Sequence, residues 1–202
     1  HTGNPRRQSS RTVQDNATAD PTKAFEQAQG LEREGRVSEA ETLYRQLLAS
    51  YPGRPALLHR LALLLKRRGA LIEAESLLRR AIAGMPREAS LHNNLGNVLR
   101  AGERFSDAVP AYRKAIEINP NYVEAYYNLG ICLEDLDQFD EAVAMHRRSV
   151  ALKPEYGQAR TRIGVILRQQ GQLEEALREL DRVVADNPQS FEALYYRGLT
   201  LA

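Results

Sequence analysis

The chain has 202 residues, and its 28 basic and 26 acidic side chains leave a net charge of +2, which argues against a nucleic-acid binder with its cationic excess. A single cysteine, Cys132, excludes an internal disulfide, and the longest apolar run, Leu61 to Leu65, is far too short for membrane insertion. The lone thiol fits a reducing compartment and favours the cytoplasm without fixing it.

Residues 1–20 lack apolar periodicity and are rich in Ser, Thr, Asn and Arg, as expected of a flexible arm or a remnant outside the fold. The chain opens on His1 rather than Met, so an upstream piece is expected to be missing. From residue 21 onward the sequence repeats. Pro52, Pro86, Pro120, Pro154 and Pro188 stand 34 residues apart without exception, a period typical of solenoids. With that proline as position 32, the units are 21–54, 55–88, 89–122, 123–156 and 157–190, and 191–202 opens a sixth. Position 8 is always Ala or Gly (Ala28, Ala62, Gly96, Gly130, Gly164, Gly198), position 20 is always Ala, and position 11 is always Leu. Positions 4, 7, 8 and 11 share one helical stripe, and positions 20, 24 and 27 share another. Each unit is therefore predicted to be two antiparallel helices whose backbones meet at the small residues. Ala142→Leu is expected to cost roughly 1–3 kcal/mol through overpacking.

In the first unit Gly35 is expected to end the first helix, and Ser38 with Glu41 forms a capping box for the second. Gly69 and Gly171 hold the same turn position in the second and fifth units; in the third, Gly102 falls one residue early, which predicts a different turn. Pro110 lies within the second helix of that unit. With Ser106 as N-cap it removes only the first intrahelical bond, predicting a bend rather than a break. The fourth unit carries the clearest stretch, Tyr126-Tyr-Asn-Leu-Gly130 followed by Phe139-Asp-Glu-Ala142.

This pattern, covering residues 21 to 202, resembles the tetratricopeptide repeat (TPR) family. The resemblance implies an all-α fold, a right-handed α-solenoid of antiparallel helix pairs. It also implies a concave groove, lined by first-helix positions, that holds peptide ligands. A solenoid ends in a polar cap, so the bare sixth helix suggests a chain that continues past Ala202.

Reading positions 2, 5, 6, 9, 12 and 13 as that groove gives Asn93, Asn94, Asn97, Tyr127, Asn128, Arg162, Arg60 and Arg100 as candidate peptide-binding residues. Asparagine is a poor helix former, so its concentration on these helices asks for a function. An amide both donates and accepts, and can clamp an extended peptide backbone. Asn94 and Asn128 share position 6, which resembles two rungs of the asparagine ladder in the TPR superhelix of O-linked N-acetylglucosamine transferases. The carboxylate clamp of chaperone-binding TPR domains is matched by Asn97, Asn128 and Arg162, while its two lysine positions hold Asn93 and Gln158. The cluster Arg60, Lys66, Arg67 and Arg100 favours acidic side chains. Tyr127 and Tyr195 are read equally as contact aromatics or as lateral packing, and Glu124, Glu134 and Asp135 as a solvated face. His92 and His146 fall on the packing stripes and are expected in the core, and Cys132, flanked by Ile131 and Leu133, reads as a small buried hydrophobe.

No P-loop, G-x-G-x-x-G, G-x-S-x-G or H-E-x-x-H is present, so neither catalysis nor a cofactor or metal is expected. The expected partner is a protein or peptide segment in extended conformation. The alternatives are the substrate-recruiting arm of a larger glycosyltransferase or sulfotransferase, and self-association through the last helix.

Overall fold

The computed structural model describes residues 20–202, and the arm expected over residues 1–19 lies outside them. The described residues form eleven α-helices and no strand. They run α1 (Pro21–Arg33), α2 (Val37–Ser50), α3 (Pro55–Arg67), α4 (Leu71–Gly84), α5 (Ala89–Ala101), α6 (Phe105–Ile118), α7 (Val123–Glu134), α8 (Phe139–Leu152), α9 (Gly157–Gln169), α10 (Leu173–Asp186) and α11 (Phe191–Leu201). The odd-numbered helices begin 34 residues apart. Each packs on the helix that follows it, and the pairs stack in chain order; α3–α5, α5–α7 and α9–α11 also touch. The result is a solenoid of helix pairs.

Small residues set the spacing within a pair. Position 24 of each second helix (Tyr44, Leu78, Tyr112, His146, Leu180) is fully buried, and in the third, fourth and fifth pairs it lies against the position 8 glycine of the first helix. A methyl group on Gly96 would sit 2.6 Å from the Tyr112 ring, and one on Gly130 would sit 2.5 Å from His146. Position 20 is a fully buried alanine in all five pairs. Burying these stripes is the main driving force, since no helix is long enough to be stable alone.

Both kinds of turn recur unchanged. Within a pair, the residue at position 15 takes a left-handed conformation and the next N–H reaches back to the position 11 carbonyl, as Arg36 does to Leu31 at 2.9 Å. Gly35, Gly69 and Gly171 fill this place naturally. The third turn corrects the sequence expectation. Gly102 is not left-handed; Glu103 takes the strained role at φ 58°, and Asp137 does the same in the fourth turn. Geometry imposed by packing overrides the position of the glycine. Between pairs, the position 34 N–H bonds the position 31 carbonyl in all five copies, from Arg54 to Tyr51 through Ser190 to Asn187. The lattice proline is the second residue of that turn, where its fixed φ is preferred.

Two expectations about helix starts are also corrected. α2 begins at Val37 with Arg36 as N-cap and no side-chain cap, so Ser38 lies inside the helix and there is no capping box. The Glu41 carboxylate instead accepts from Arg45 at 2.9 Å and from Arg68 of the next pair. α6 begins at Phe105, not after Ser106, which places Pro110 two residues deeper, yet the helix continues unbroken to Ile118. Asp20, expected as the last residue of the arm, caps α1 by accepting from the Thr22 N–H at 2.9 Å.

Arginine–carboxylate clasps tie the second helices together on the outer face. Arg45 bonds Glu73 at 2.6 Å, Arg113 bonds Glu141 at 2.5 Å, and Arg147 bonds Glu175, each joining position 25 to position 19 of the next pair. At the α4–α6 junction Arg79 turns back to Glu75, and Arg104 makes the crossing to Glu75 at 2.7 Å instead.

Candidate functional site

The first helices α3, α5 and α7 lie side by side, and their polar side chains form two hydrogen-bonded chains. The Tyr112 hydroxyl, reaching through the pair from α6, donates to Asn97 Oδ1 at 2.9 Å. Asn97 Nδ2 in turn donates to Asn94 Oδ1 at 3.5 Å. Asn94 Nδ2 lies 2.7 Å from His59 Nε2 on α3. One repeat on, Asn128 Nδ2 donates to Asn93 Oδ1 at 3.0 Å. Both crossings link residues 35 apart, position 6 of one repeat to position 5 of the one before.

For Asn94 to donate, the His59 ring must be neutral with its proton on Nδ1. Burial and the neighbouring Arg60 charge both favour that state by lowering the His59 pKa, against a smaller opposing pull from Glu88. The ring is thus an acceptor that orients Asn94.

Position 5 corrects the groove assignment. Asn93 is only 5% exposed and Thr161 only 2%, so this position lies in the seam between repeats rather than on the open face. Asn93 therefore supports Asn128 from beneath. Asn94, Asn97 and Asn128 are half-buried and reach the surface. Tyr127 also lies in the seam, its ring centre 5.5 Å from His146 and 5.2 Å from Tyr156, which is lateral packing. Tyr195 is 54% exposed and stacks on Phe191.

The supposedly solvated acidic trio is divided. Glu124 is exposed. Asp135 accepts from Arg100 Nε at 2.6 Å, and Glu134 accepts from His146 Nε2 at 2.8 Å and from Arg162 at 3.5 Å. The carboxylate holds the His146 proton on Nε2, leaving Nδ1 buried without a partner. Burial opposes the Arg162 charge, but Glu134 and the Tyr127 hydroxyl outweigh it and raise the Arg162 pKa. Arg60 takes a different course. With Arg33, Arg67, Gln29 and Glu32 it lines an open hollow of about 400 Å³ between α1 and α3.

Sequence reasoning did not pick out His59 as the partner of Asn94, and it missed the Tyr112 hydroxyl. The available signal was the 35-residue separation, one period plus one, linking His59 to Asn94 and Asn93 to Asn128. Cys132 is fully buried, its thiol donating to the Phe105 carbonyl at 3.4 Å; burial pushes its pKa up to about 11, so it is no nucleophile. His146 is fully buried as expected, and His92 is half-buried with Nε2 2.9 Å from the Pro86 carbonyl. Among the described residues no group of three metal-binding side chains converges, and no helix is long and apolar enough to cross a membrane.

A search of curated proteins returned no match. Among solved structures, the chain is similar to YrrB, described as a TPR protein with an unusual peptide-binding site: the TM-score is 0.71 at 23% identity, covering 89% of this chain and 92% of that one. MamA from Desulfovibrio magneticus RS-1 superposes with a TM-score of 0.77 at 19% identity, over 87% of this chain and 99% of that one. PilF from Pseudomonas aeruginosa gives 0.77 at 18% identity, over 87% and 80%. Identities this low speak for the fold. The tetratricopeptide repeat profile matches residues 31–97 and 136–199, and a second TPR repeat profile matches 96–137. With profiles matching more than half of its length and eleven helices in the expected order, the chain belongs to the tetratricopeptide repeat family.

Proposed function

We propose that this chain is a non-catalytic protein–protein interaction scaffold that holds an extended peptide segment across α3, α5, α7 and α9. The observation that carries the reading is the amide array. Asn94 uses one N–H on His59 and one lone pair on Asn97, which leaves one donor and one acceptor for a guest. Asn128 uses only one N–H, on Asn93. Amides already oriented by neighbours lose little freedom on binding, which favours affinity. Asn97 extends the row, Asn93 positions it, and the paired Arg100 and Arg162 form its edges. The similarity to YrrB supports a peptide as the guest.

The test is the double variant Asn94→Ala/Asn128→Ala, measured by anisotropy against a peptide selected from a display library on the wild-type chain. Each lost hydrogen bond should contribute about 0.5–1.5 kcal/mol, so affinity should fall roughly tenfold. Full affinity in the double variant would sink the reading.

One observation favours a second reading. On α11, Phe191 is 82% and Leu201 60% exposed, a surface suited to association between two copies. Light scattering across a concentration series that stays monomeric removes it.

A further inference from the structure

Taking the peptide-groove reading as its basis, we propose that the concave surface of α3, with the end of α1, recognises the carboxylates of an acidic stretch in the bound segment. Arg60, Lys66 and Arg67 project from α3, and none has a carboxylate within ion-pair distance among the described residues. Two cations at the same registers elsewhere on the face are neutralised, although Arg168 on α9 is not. Arg100, one repeat beyond Lys66, is held by Asp135, and Arg162, three repeats beyond Arg60, is held by Glu134. The cluster expected from the sequence thus loses Arg100 as a free charge and gains Arg33, which lines the same hollow as Arg60 and Arg67. Only one carboxylate, Glu32, stands among those three guanidinium groups, and it already accepts the Tyr44 hydroxyl at 2.7 Å.

Crowding like charges without a counterion is unfavourable. Burial first, and then the Arg100 charge, lowers the Lys66 pKa. An incoming anion would relieve that penalty. Planar guanidinium groups match carboxylates in paired hydrogen bonds, and Arg60 of the hollow follows His59, the residue that orients the half-buried Asn94 amide. The cluster of open cations also lies at one end, between α1 and α3. Beyond α5 the open face carries the exposed Glu124, which would repel a uniformly charged nucleic-acid strand. A peptide that is acidic over one stretch avoids that conflict.

The test uses the chain as described and three fluorescein-labelled peptides of alternating sequence: Glu with Ser, Gln with Ser, and Lys with Ser. Anisotropy should show the Glu peptide binding about tenfold more tightly than the Gln peptide, a margin that shrinks as salt rises. Arg60→Ala/Arg67→Ala should erase that margin, whereas Arg178→Ala/Arg182→Ala, which removes two exposed charges on α10, should keep it. Arg60→Glu/Arg67→Glu should transfer the preference to the Lys peptide, a gain that unfolding cannot mimic. Equal binding of the Glu and Gln peptides overturns the proposal, as does no binding of the Glu peptide or equal loss in both arginine pairs. Competition by oligothymidylate as strong as by the Glu peptide would assign the patch to polyanions in general and overturn it too. Asn94→Ala/Asn128→Ala should weaken the Glu and Gln peptides alike. If it weakens neither while the Glu margin survives, the amide reading fails and the charge site stands.

Discussion

At the α3 end of the concave face Arg60 and Lys66 stand without a carboxylate, while further along Arg100 and Arg162 occupy the same register and each is held by one. The two regions share a backbone, a helix pairing and a turn geometry. They differ in what the side chains are for. Around α7–α9 a carboxylate is engaged within the protein: Glu134 joins His146 of its own pair to Arg162 of the next. Around α1–α3 the charges are left open. A repeat fold can therefore assign one stretch of its inner surface to cohesion and another to recognition without altering the framework.

The largest expected effect comes from breaking the cohesive region. Glu134→Ala leaves the buried His146 N–H without an acceptor beside an already unpartnered Nδ1, and should destabilise by about 2–3 kcal/mol in urea unfolding. Glu134→Gln keeps an acceptor and should lose less. Lys66→Ala at the open end should change stability by under about 0.5 kcal/mol. Similar losses at Glu134 and Lys66 would erase the distinction.

A second comparison sets Gly130 against Gly198. An added methyl group at Gly130 meets the His146 ring at 2.5 Å, whereas at Gly198 it meets nothing within 4 Å. Gly130→Ala should cost about 1–3 kcal/mol, and Gly198→Ala should stabilise α11 by up to about 1 kcal/mol. Thermal melts of the two variants read this directly.

The turns sharpen the comparison further. Gly35 and Gly69 serve the first two pairs, but Glu103 and Asp137 hold the same left-handed place in the third and fourth. Glu103→Gly and Asp137→Gly should each gain about 1 kcal/mol, while Gly69→Ala should lose a similar amount. A loss in either of the first two variants would mean that the side chain, not the backbone, matters there.

The smallest effect concerns protons. The folded-state pKa of His59 lies below its ordinary value of 6.5, so its contribution is present above that value and fades as pH falls through the folded pKa. Acidification should turn Nε2 into a donor and break the Asn94 contact. NMR titration of the ring nitrogens should show Nε2 unprotonated at pH 7; a proton found there would dismiss His59 as the acceptor.

Much of the fold was legible because packing leaves a periodic trace. Position 8 is small wherever a position 24 side chain lies on it, and the prolines mark a turn that always needs a fixed φ. Features set by a neighbour's shape were not legible. The left-handed Glu103 follows from how α5 and α6 pack, against the local cue of Gly102. The burial of Asn93 follows from the next repeat leaning over position 5, a displacement that a single helical wheel does not contain. In the candidate site, residue types pointed to amides correctly, but the His59, Tyr112 and Glu134 connections depend on how far one repeat is rotated from the next.

Because each pair leans chiefly on its immediate neighbours, the described solenoid has two flanks held from one side only. Backbone amides of α1 and α11 should exchange with deuterium first, and those of α5 to α7 last. The asparagines offered to a guest sit in that slowest zone, so the rod can unravel from its tips without dissolving the grip at its middle.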